Sequence, residues 1–165
     1  MKLLLTLGDK NVLRDYKVRK AARAVVFDKE GKVALLYVSK HGYHKLPGGG
    51  IDEGESIIEA LKRECLEEIG CDVEVAAEVG EIIEYRHFPD ERDEEQESFS
   101  YIANVTSKKG EPRFEQDEID DGFEVQWVNP ETAVELLKKG RPKTNDGPFI
   151  VSRDFKIIEE AMKIV

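Results

Sequence analysis

The chain of 165 residues has little cysteine and no long apolar run. Its two cysteines, Cys65 and Cys71, cannot build the disulfide framework of a small secreted domain, and we expect both thiols to be reduced. No apolar stretch approaches the roughly 18 residues of a membrane-spanning helix, so we expect no membrane partner. The apolar part of residues 1–8 is too short for a secretory signal and has no small-residue cleavage site. We therefore expect a cytoplasmic protein.

Positive charge is also scarce, since 25 Lys and Arg stand against 35 Asp and Glu and the net charge is -10. Phosphate backbones are bound by basic side chains, so this balance argues against long nucleic acid as the main partner. It does not exclude a small phosphorylated substrate, because a divalent cation can bridge two anionic groups.

Aromatic and aliphatic residues are sufficient for one core, which predicts a single domain over residues 1–165. Apolar runs and turn residues predict strands at 3–7, 12–18, 22–27, 33–38, 73–79, 80–85, 98–105 and 123–128. Helical patterns cover 56–69, 130–139 and 149–164. Because strands and helices interleave irregularly, the sequence predicts an α/β fold with a mixed β-sheet and helices packed on it. Residues 1–17 form an N-terminal strand extension and 148–165 hold a C-terminal helix.

The helix at 56–69 has the clearest signals. Ser56 and Glu59 form a capping box at its start, and Gly70 stands where a C-terminal glycine belongs. Apolar residues recur at spacings of three and four and share one face. Glu64, Glu67 and Glu68 lie beside that face, within an arc of about 100°. Acids at this spacing are typical of a solvated face, but three convergent carboxylates also suit a hard divalent ion such as Mg²⁺ or Mn²⁺.

A loop of three glycines, Gly48 to Gly50, precedes this helix. Glycine lets the main chain approach a ligand closely, so its carbonyls can add a metal ligand and its amides can face phosphate. Lys45 precedes the loop and could also contact phosphate. Arg63 could pair with Glu67 or reach back to Glu55, which would hold loop and helix together.

The pattern G-x5-E-x7-R-E-U-x-E-E-x-G-U, with U a bulky aliphatic residue, is the signature of the Nudix hydrolases. This sequence resembles it at seven fixed positions in 23 residues: Gly49, Glu55, Arg63, Glu64, Glu67, Glu68 and Gly70. Cys65 and Cys71 depart from it by standing at both aliphatic positions, which predicts slightly looser packing. The order of predicted elements extends the resemblance over residues 18–139.

The resemblance implies an α/β/α sandwich that cleaves a nucleoside diphosphate linked to another moiety, with Mg²⁺ or Mn²⁺ as cofactor. Carried onto this chain, Glu64, Glu67 and Glu68 are the expected metal ligands and catalytic residues, helped by the Gly48 carbonyl. Glu64 could instead be the general base. Substrate contacts are expected at Lys45, Gly48 and Gly49, and structural roles at Glu55, Arg63 and Gly70.

A further acid from a later loop often completes such a site. Glu118 is placed with the catalytic residues, but the sequence does not decide among the acids of its segment, which are Glu115, Glu118, Asp120, Asp121 and Glu124. The acidic stretch 90–97 is a second source.

Two substrates are expected in order of preference: a nucleoside triphosphate, including an oxidised one, and then an ADP-ribose-like nucleotide sugar. The added N-terminal strands favour the second mildly, since they could build a homodimer. The alternatives are a catalytically inactive Nudix-fold module that senses a nucleotide, and a protein whose structure is stabilised by Ca²⁺ or Mg²⁺.

Overall fold

A computed structural model describes residues 1–88 and 93–165. One seven-stranded sheet has the order β1-β5-β6-β2-β3-β4, with β7 also paired to β3. The strands are β1 Leu3–Leu7, β2 Lys17–Phe27, β3 Val33–Val38, β4 Tyr43–Lys45, β5 Val73–Arg86, β6 Glu94–Val105 and β7 Phe123–Val128. The helices are α1 Ile57–Ile69, α2 Gln116–Asp120, α3 Pro130–Lys139 and α4 Gly147–Ala161. No helix in the described ranges is long and apolar enough to cross a membrane.

The sheet is mixed, and helices cover both of its faces. β1 pairs with β5, and β2 with β6, in parallel, whereas the other pairs are antiparallel. Side chains alternate along β2, so Ala24 and Val26 pack against α1 while Val25 packs against α3 and α4. The expected sandwich with a mixed sheet between helices is confirmed.

The strand expected at 12–18 is wrong over residues 12–16. Residues 12–14 form a turn and a bend, residues 15–16 are irregular, and the strand begins only at Lys17. Asn11 initiates this turn, because its carbonyl accepts from the Arg14 amide and its side chain accepts from the Leu13 amide. The apolar side chains of Val12 and Leu13 are left exposed, so their hydrophobicity was a misleading strand signal.

The two strands expected at 73–79 and 80–85 are one continuous strand, β5, with irregular register around Gly80. A Cβ at Gly80 would overlap the side chain of Leu4, so the glycine permits the close approach of β1. The α4 helix also ends earlier than expected, at Ala161.

Residues 94–97 of the acidic stretch lie in β6 and are not a loop. Their parallel pairing with the basic start of β2 sets Lys20 beside Glu97, with 3.4 Å between charged atoms. Opposite charges on neighbouring strands stabilise this pairing, which hydrophobic patterning could not reveal. Residues 90–92, from the same stretch, lie outside the described ranges.

Helix α1 begins and ends as its sequence predicts. Ser56 and Glu59 exchange capping hydrogen bonds, and Gly70 ends the helix in the left-handed conformation with φ of 65°. A Cβ at Gly70 would overlap the main chain of Gly110, whose amide donates to the Gly70 carbonyl at 2.8 Å. The end of the helix is thereby fixed to the loop that follows β6.

We expect Gly70→Ala to destabilise the fold more than Gly31→Ala. Both glycines have positive φ, which costs an L-residue roughly 1–2 kcal/mol, but only Gly70 has neighbouring atoms within contact distance of an added Cβ. The overlap should cost Gly70→Ala about 1 kcal/mol or more beyond the control. Urea denaturation monitored by circular dichroism measures both variants. Equal losses would contradict the close approach of Gly110.

Candidate active site

The glycine loop lies alongside β2. The Ala22 amide donates to the Gly49 carbonyl at 2.9 Å, and the Ala24 amide donates to the Pro47 carbonyl at 3.0 Å. Gly48 has φ of 128°, and a Cβ there would overlap the Ala22 carbonyl. Only glycine fits this approach, so the loop is held close against the sheet.

Arg63 joins this loop to α1. Its guanidinium donates to the Gly50 carbonyl at 2.9 Å and to both oxygens of Glu55 at 2.9 and 3.0 Å. It also donates to Glu64 at 2.8 Å and Glu67 at 3.2 Å. These acids, Glu55 first, raise the pKa of Arg63, so its charge is permanent. One side chain thus fixes loop, helix and two candidate ligands together.

Glu68 is the most deeply buried acid on this face of α1, at 2% exposure. One oxygen accepts from the Gly48 amide at 2.6 Å, and the other accepts from Lys45 Nζ at 3.1 Å. Glu68 therefore links the helix to the loop and to β4.

The loop after β6 brings a second set of charged side chains over α1. The Arg113 amide donates to the Glu67 carbonyl at 2.6 Å, close to the contact between Gly110 and Gly70. These bonds satisfy carbonyls that the last turn of a helix leaves free. Helix α2 follows, so Glu115 and Glu118 are placed opposite Glu68.

Together these elements enclose a polar cleft of about 350 Å³. Its acidic lining consists of Asp52, Glu64, Glu67, Glu68, Glu115, Asp117 and Glu118. Its basic lining consists of Arg19, Arg23, Lys45, Arg63 and Arg113, and the three glycines of the loop complete it. Carboxylates and cations thus face one space, which suits a cation and a phosphorylated ligand bound together.

Burial and neighbouring charge disfavour ionisation of two of these acids. Burial, and then the charge of Glu68, raise the pKa of Glu64. Burial also raises the pKa of Glu118 to about 7, with Glu68 contributing. Carboxylates that repel each other are stabilised by an added cation, so the cleft has the electrostatics of a cation site.

The oxygen-rich donor set fits a hard divalent ion, and three observations bear on how it would bind. Pro47, Gly49 and Gly50 all use their carbonyls in hydrogen bonds, whereas the Gly48 carbonyl accepts none from the described residues. The carboxylates of Glu64 and Glu67 are engaged by Arg63. Within residues 1–88 and 93–165, no three acidic, His or Cys side chains stand close enough to hold a metal.

The predicted residues fall into two groups. Eight of the ten line the cleft: Lys45, Gly48, Gly49, Arg63, Glu64, Glu67, Glu68 and Glu118. Glu55 and Gly70 lie behind it and contact Arg63 and Gly110, respectively. The roles of all these residues in binding and catalysis stay predictions.

Of the alternative acids, Glu115 lines the cleft but Asp120, Asp121 and Glu124 do not. The described residues of the acidic stretch, 93–97, are also absent from its lining.

Sequence reasoning missed the basic side of the cleft. Arg19 and Arg23 are four residues apart on β2, and this even spacing places both on one face of a strand. The even spacing of the two arginines predicts a shared face only if the strand begins at Lys17, earlier than the sequence pattern indicated. Arg113 had no comparable signal, since it depends on the contact of its loop with α1.

We expect Arg63→Ala to lower the free energy of unfolding by about 2 kcal/mol, because partly buried carboxylate oxygens of Glu55 and Glu64 lose their donor. Lys62→Ala is the control, since exposed Lys62 has only a 3.9 Å contact with Glu74 and should change stability by less than about 0.5 kcal/mol. Denaturant titration compares them. A loss no larger than that of Lys62→Ala would refute the bridging role of Arg63.

Glu118→Gln tests the perturbed carboxyl group. The folded pKa of about 7 lies above the ordinary 4.5, so Glu118 stabilises the fold below pH 4.5 and this contribution is lost as pH rises through 7. In the wild type, the Glu115 amide donates a hydrogen bond to the Glu118 carboxylate at 2.8 Å, and the side-chain oxygen of Gln can still accept it. We expect the Tm of the variant minus that of the wild type to increase between pH 4.5 and 7.5, measured in chelator. A difference that is constant with pH would rule out the raised pKa.

The chain is similar to known proteins in sequence and in fold. An RNA pyrophosphohydrolase of Wolbachia pipientis is 34% identical over 82 residues, which are 48% of this chain and 50% of that protein. The chain thus spans half the length of this relative. Among solved structures, a NUDIX hydrolase from Nitrosomonas europaea aligns with a TM-score of 0.63 at 20% identity, over 89% of this chain and 90% of that one.

The MutT protein from Methanosarcina mazei Go1 aligns with a TM-score of 0.59 at 18% identity, over 90% of this chain and 98% of that one. These structural likenesses show the fold. The NUDIX domain itself matches residues 17–148, which include β2, the glycine loop, α1 and the cleft. The chain therefore belongs to the NUDIX domain family.

Proposed function

We propose that the protein is a pyrophosphohydrolase that uses Mg²⁺ or Mn²⁺ to cleave the diphosphate bond of a nucleoside diphosphate derivative. The observation that carries the proposal is the cleft itself, where acids of α1 line the same space as Arg19, Arg23, Lys45 and Arg113, beside the glycine loop. Acids alone would favour a cation site and cations alone a phosphate site. Because acids and cations line the same space, the cleft favours a divalent metal bound together with a phosphate group.

Glu64, Glu67 and Glu68 would hold the metal with the Gly48 carbonyl after Glu64 and Glu67 turn away from Arg63, because their carboxylates do not converge while Arg63 engages them. When bound, a divalent ion neutralises the diphosphate and lowers the pKa of water. The protein's own residues then orient the substrate: the basic side chains bind phosphate oxygens, while Arg63 keeps loop and helix in register.

As the alternative to holding the metal, Glu64 is proposed to take the proton of the attacking water at its carboxylate. Its oxygens lie against Gly49, where a Cβ would overlap them, so the side chain is closely fixed. The raised pKa of Glu64 makes its carboxylate a better proton acceptor than an ordinary glutamate. One of Glu115 and Glu118 would add the further acid.

A nucleoside triphosphate is the first proposed substrate, and an ADP-ribose-like nucleotide sugar is the second. The curated relatives named RNA pyrophosphohydrolase add a third candidate, the 5′ end of an RNA, and one of them is 43% identical over 61 residues. The net charge of -10 still disfavours extensive contact with an RNA chain. A cytoplasmic location and a homodimer stay predictions of the sequence.

Glu64→Gln tests the proposal because it removes a negative charge and a proton acceptor while preserving side-chain size. We expect at least a hundredfold loss of kcat with Mg²⁺, since general-base catalysis contributes about 10²–10⁴-fold. Glu74→Gln is the matched control, as Glu74 is largely exposed and lies outside the cleft. Release of phosphate and pyrophosphate measures turnover.

Near-normal turnover by folded Glu64→Gln would refute the role of Glu64. A wild-type protein that binds nucleotide tightly and turns over none would instead support the inactive, nucleotide-sensing module. Chelator is also added to the wild type. The proposed enzyme should then lose its activity and regain it when metal is restored.

A further inference from the structure

A second cavity of about 240 Å³ adjoins the cleft, and three buried arginines are among the residues that line it. Arg23 is 6% exposed, Arg86 is 5% exposed and Arg153 is 1% exposed. They come from β2, β5 and α4, respectively. The two spaces share lining residues, including Arg23 and Lys45, so a ligand can extend from one into the other.

Two of these arginines have carboxylate partners. Arg86 donates to Glu84 at 3.0 Å and lies 3.7 Å from Glu94. Arg153 donates to Asp154 at 2.7 Å, and Asp154 also accepts from the Leu46 amide at 2.8 Å. This network anchors α4 to the chain just before the glycine loop.

Arg23 differs from both. Its Nε and Nη1 are buried and have no hydrogen-bond partner among the described residues. Burial, and then the charge of Arg153, lower the pKa of Arg23 to about 10, so the group is still cationic near pH 7. A buried, unpaired charge costs a fold several kcal/mol in general, and that cost is removed when an anion binds.

Further donors beside Arg23 lack a hydrogen-bond partner within the described part of the chain. They are Nε of Arg86 and Nη1 of Arg153, although Nη1 of Arg153 lies 3.6 Å from a carboxylate oxygen of Glu84. Three buried guanidinium groups therefore carry N–H groups that are not fully used within the protein. Guanidinium is planar and can donate two parallel hydrogen bonds, which suits a phosphate. The acids that line this cavity are Asp117, Glu118, Asp121 and Asp146, which are all more exposed than the arginines.

We propose that Arg23, Arg86 and Arg153 form a phosphate subsite that binds a third phosphate of the substrate, beyond the diphosphate held in the cleft. The inference rests on the proposed function for the identity of the molecule that carries this phosphate. It favours a nucleoside triphosphate, or another substrate with at least three phosphates, over an ADP-ribose-like molecule, because ADP-ribose has only two.

The first experiment needs no turnover. The full chain is melted in chelator with and without inorganic tripolyphosphate, as wild type, Arg23→Gln and Arg23→Lys. Arg141→Gln is the matched control, because Arg141 is exposed and lies in neither cavity. We expect tripolyphosphate to raise the Tm of the wild type and the control, to raise that of Arg23→Lys less, and to leave Arg23→Gln unchanged.

The stability of the ligand-free variants distinguishes a binding role from a structural one. An anion site predicts that Arg23→Gln is at least as stable as wild type without phosphate, since it removes an unpaired buried charge. If Arg23→Gln instead melts below wild type by the same amount with and without tripolyphosphate, Arg23 is a structural residue and the proposal is overturned. An equal ligand-induced shift in wild type and Arg23→Gln would also overturn it.

Arg86→Gln locates the subsite, because Arg86 lines the second cavity and not the cleft. Isothermal titration should show about tenfold weaker tripolyphosphate binding, the loss expected for a charge-assisted hydrogen bond. Unchanged affinity in a folded Arg86→Gln would place the ligand in the cleft alone and refute the subsite. Inorganic phosphate that binds wild type as tightly as tripolyphosphate would assign the site to free phosphate and overturn the assignment to substrate.

Steady-state kinetics then connect the subsite to selectivity. The ratio of kcat/KM for a nucleoside triphosphate to that for ADP-ribose should fall about tenfold in Arg86→Gln. An unchanged ratio would contradict the proposed selectivity. Failure of the wild type to hydrolyse either compound would count against the proposed function, whereas the tripolyphosphate measurements would still decide the subsite.

Discussion

The contacts of Arg63 determine how the rest of the site is arranged. A single guanidinium spans the Gly50 carbonyl, Glu55 and two acids of α1, so the loop and the helix cannot move independently. The glycines permit the close approach, but the approach is held by this charge. Arg63 and Lys45 also contact the three acids on this helix face and offset their mutual repulsion.

A second constraint comes from the far face of the sheet. Asp154 of α4 accepts from the Leu46 amide and from Arg153, so the helix that covers one face supports the loop that forms the site. Arg23 lies between these parts, on the strand against which the loop is held. The acidic half of the cleft is thus supported by α1, and the basic half depends on β2 and α4.

The sequence predicted the helix of the site almost to the residue, because caps, apolar spacing and a terminal glycine all agree over 56–70. It also placed the glycine loop, whose composition excludes regular structure. It failed at residues 12–16 and 94–97, where a turn at Asn11 and charge pairing between strands override hydrophobic patterning. The basic side of the cleft escaped prediction because its arginines are separated in sequence and meet only through the strand order and a loop contact.

As proposed, the acids and cations that line one cleft perform metal-dependent diphosphate hydrolysis. The decisive experiment incubates the purified protein with Mg²⁺ or Mn²⁺ and a panel of nucleoside triphosphates, ADP-ribose, dinucleoside polyphosphates and 5′-triphosphorylated RNA, and measures the release of phosphate and pyrophosphate. We expect turnover of at least one compound, abolished by chelator and restored by added metal. Turnover that persists undiminished in chelator, or no turnover of any compound, would refute this function.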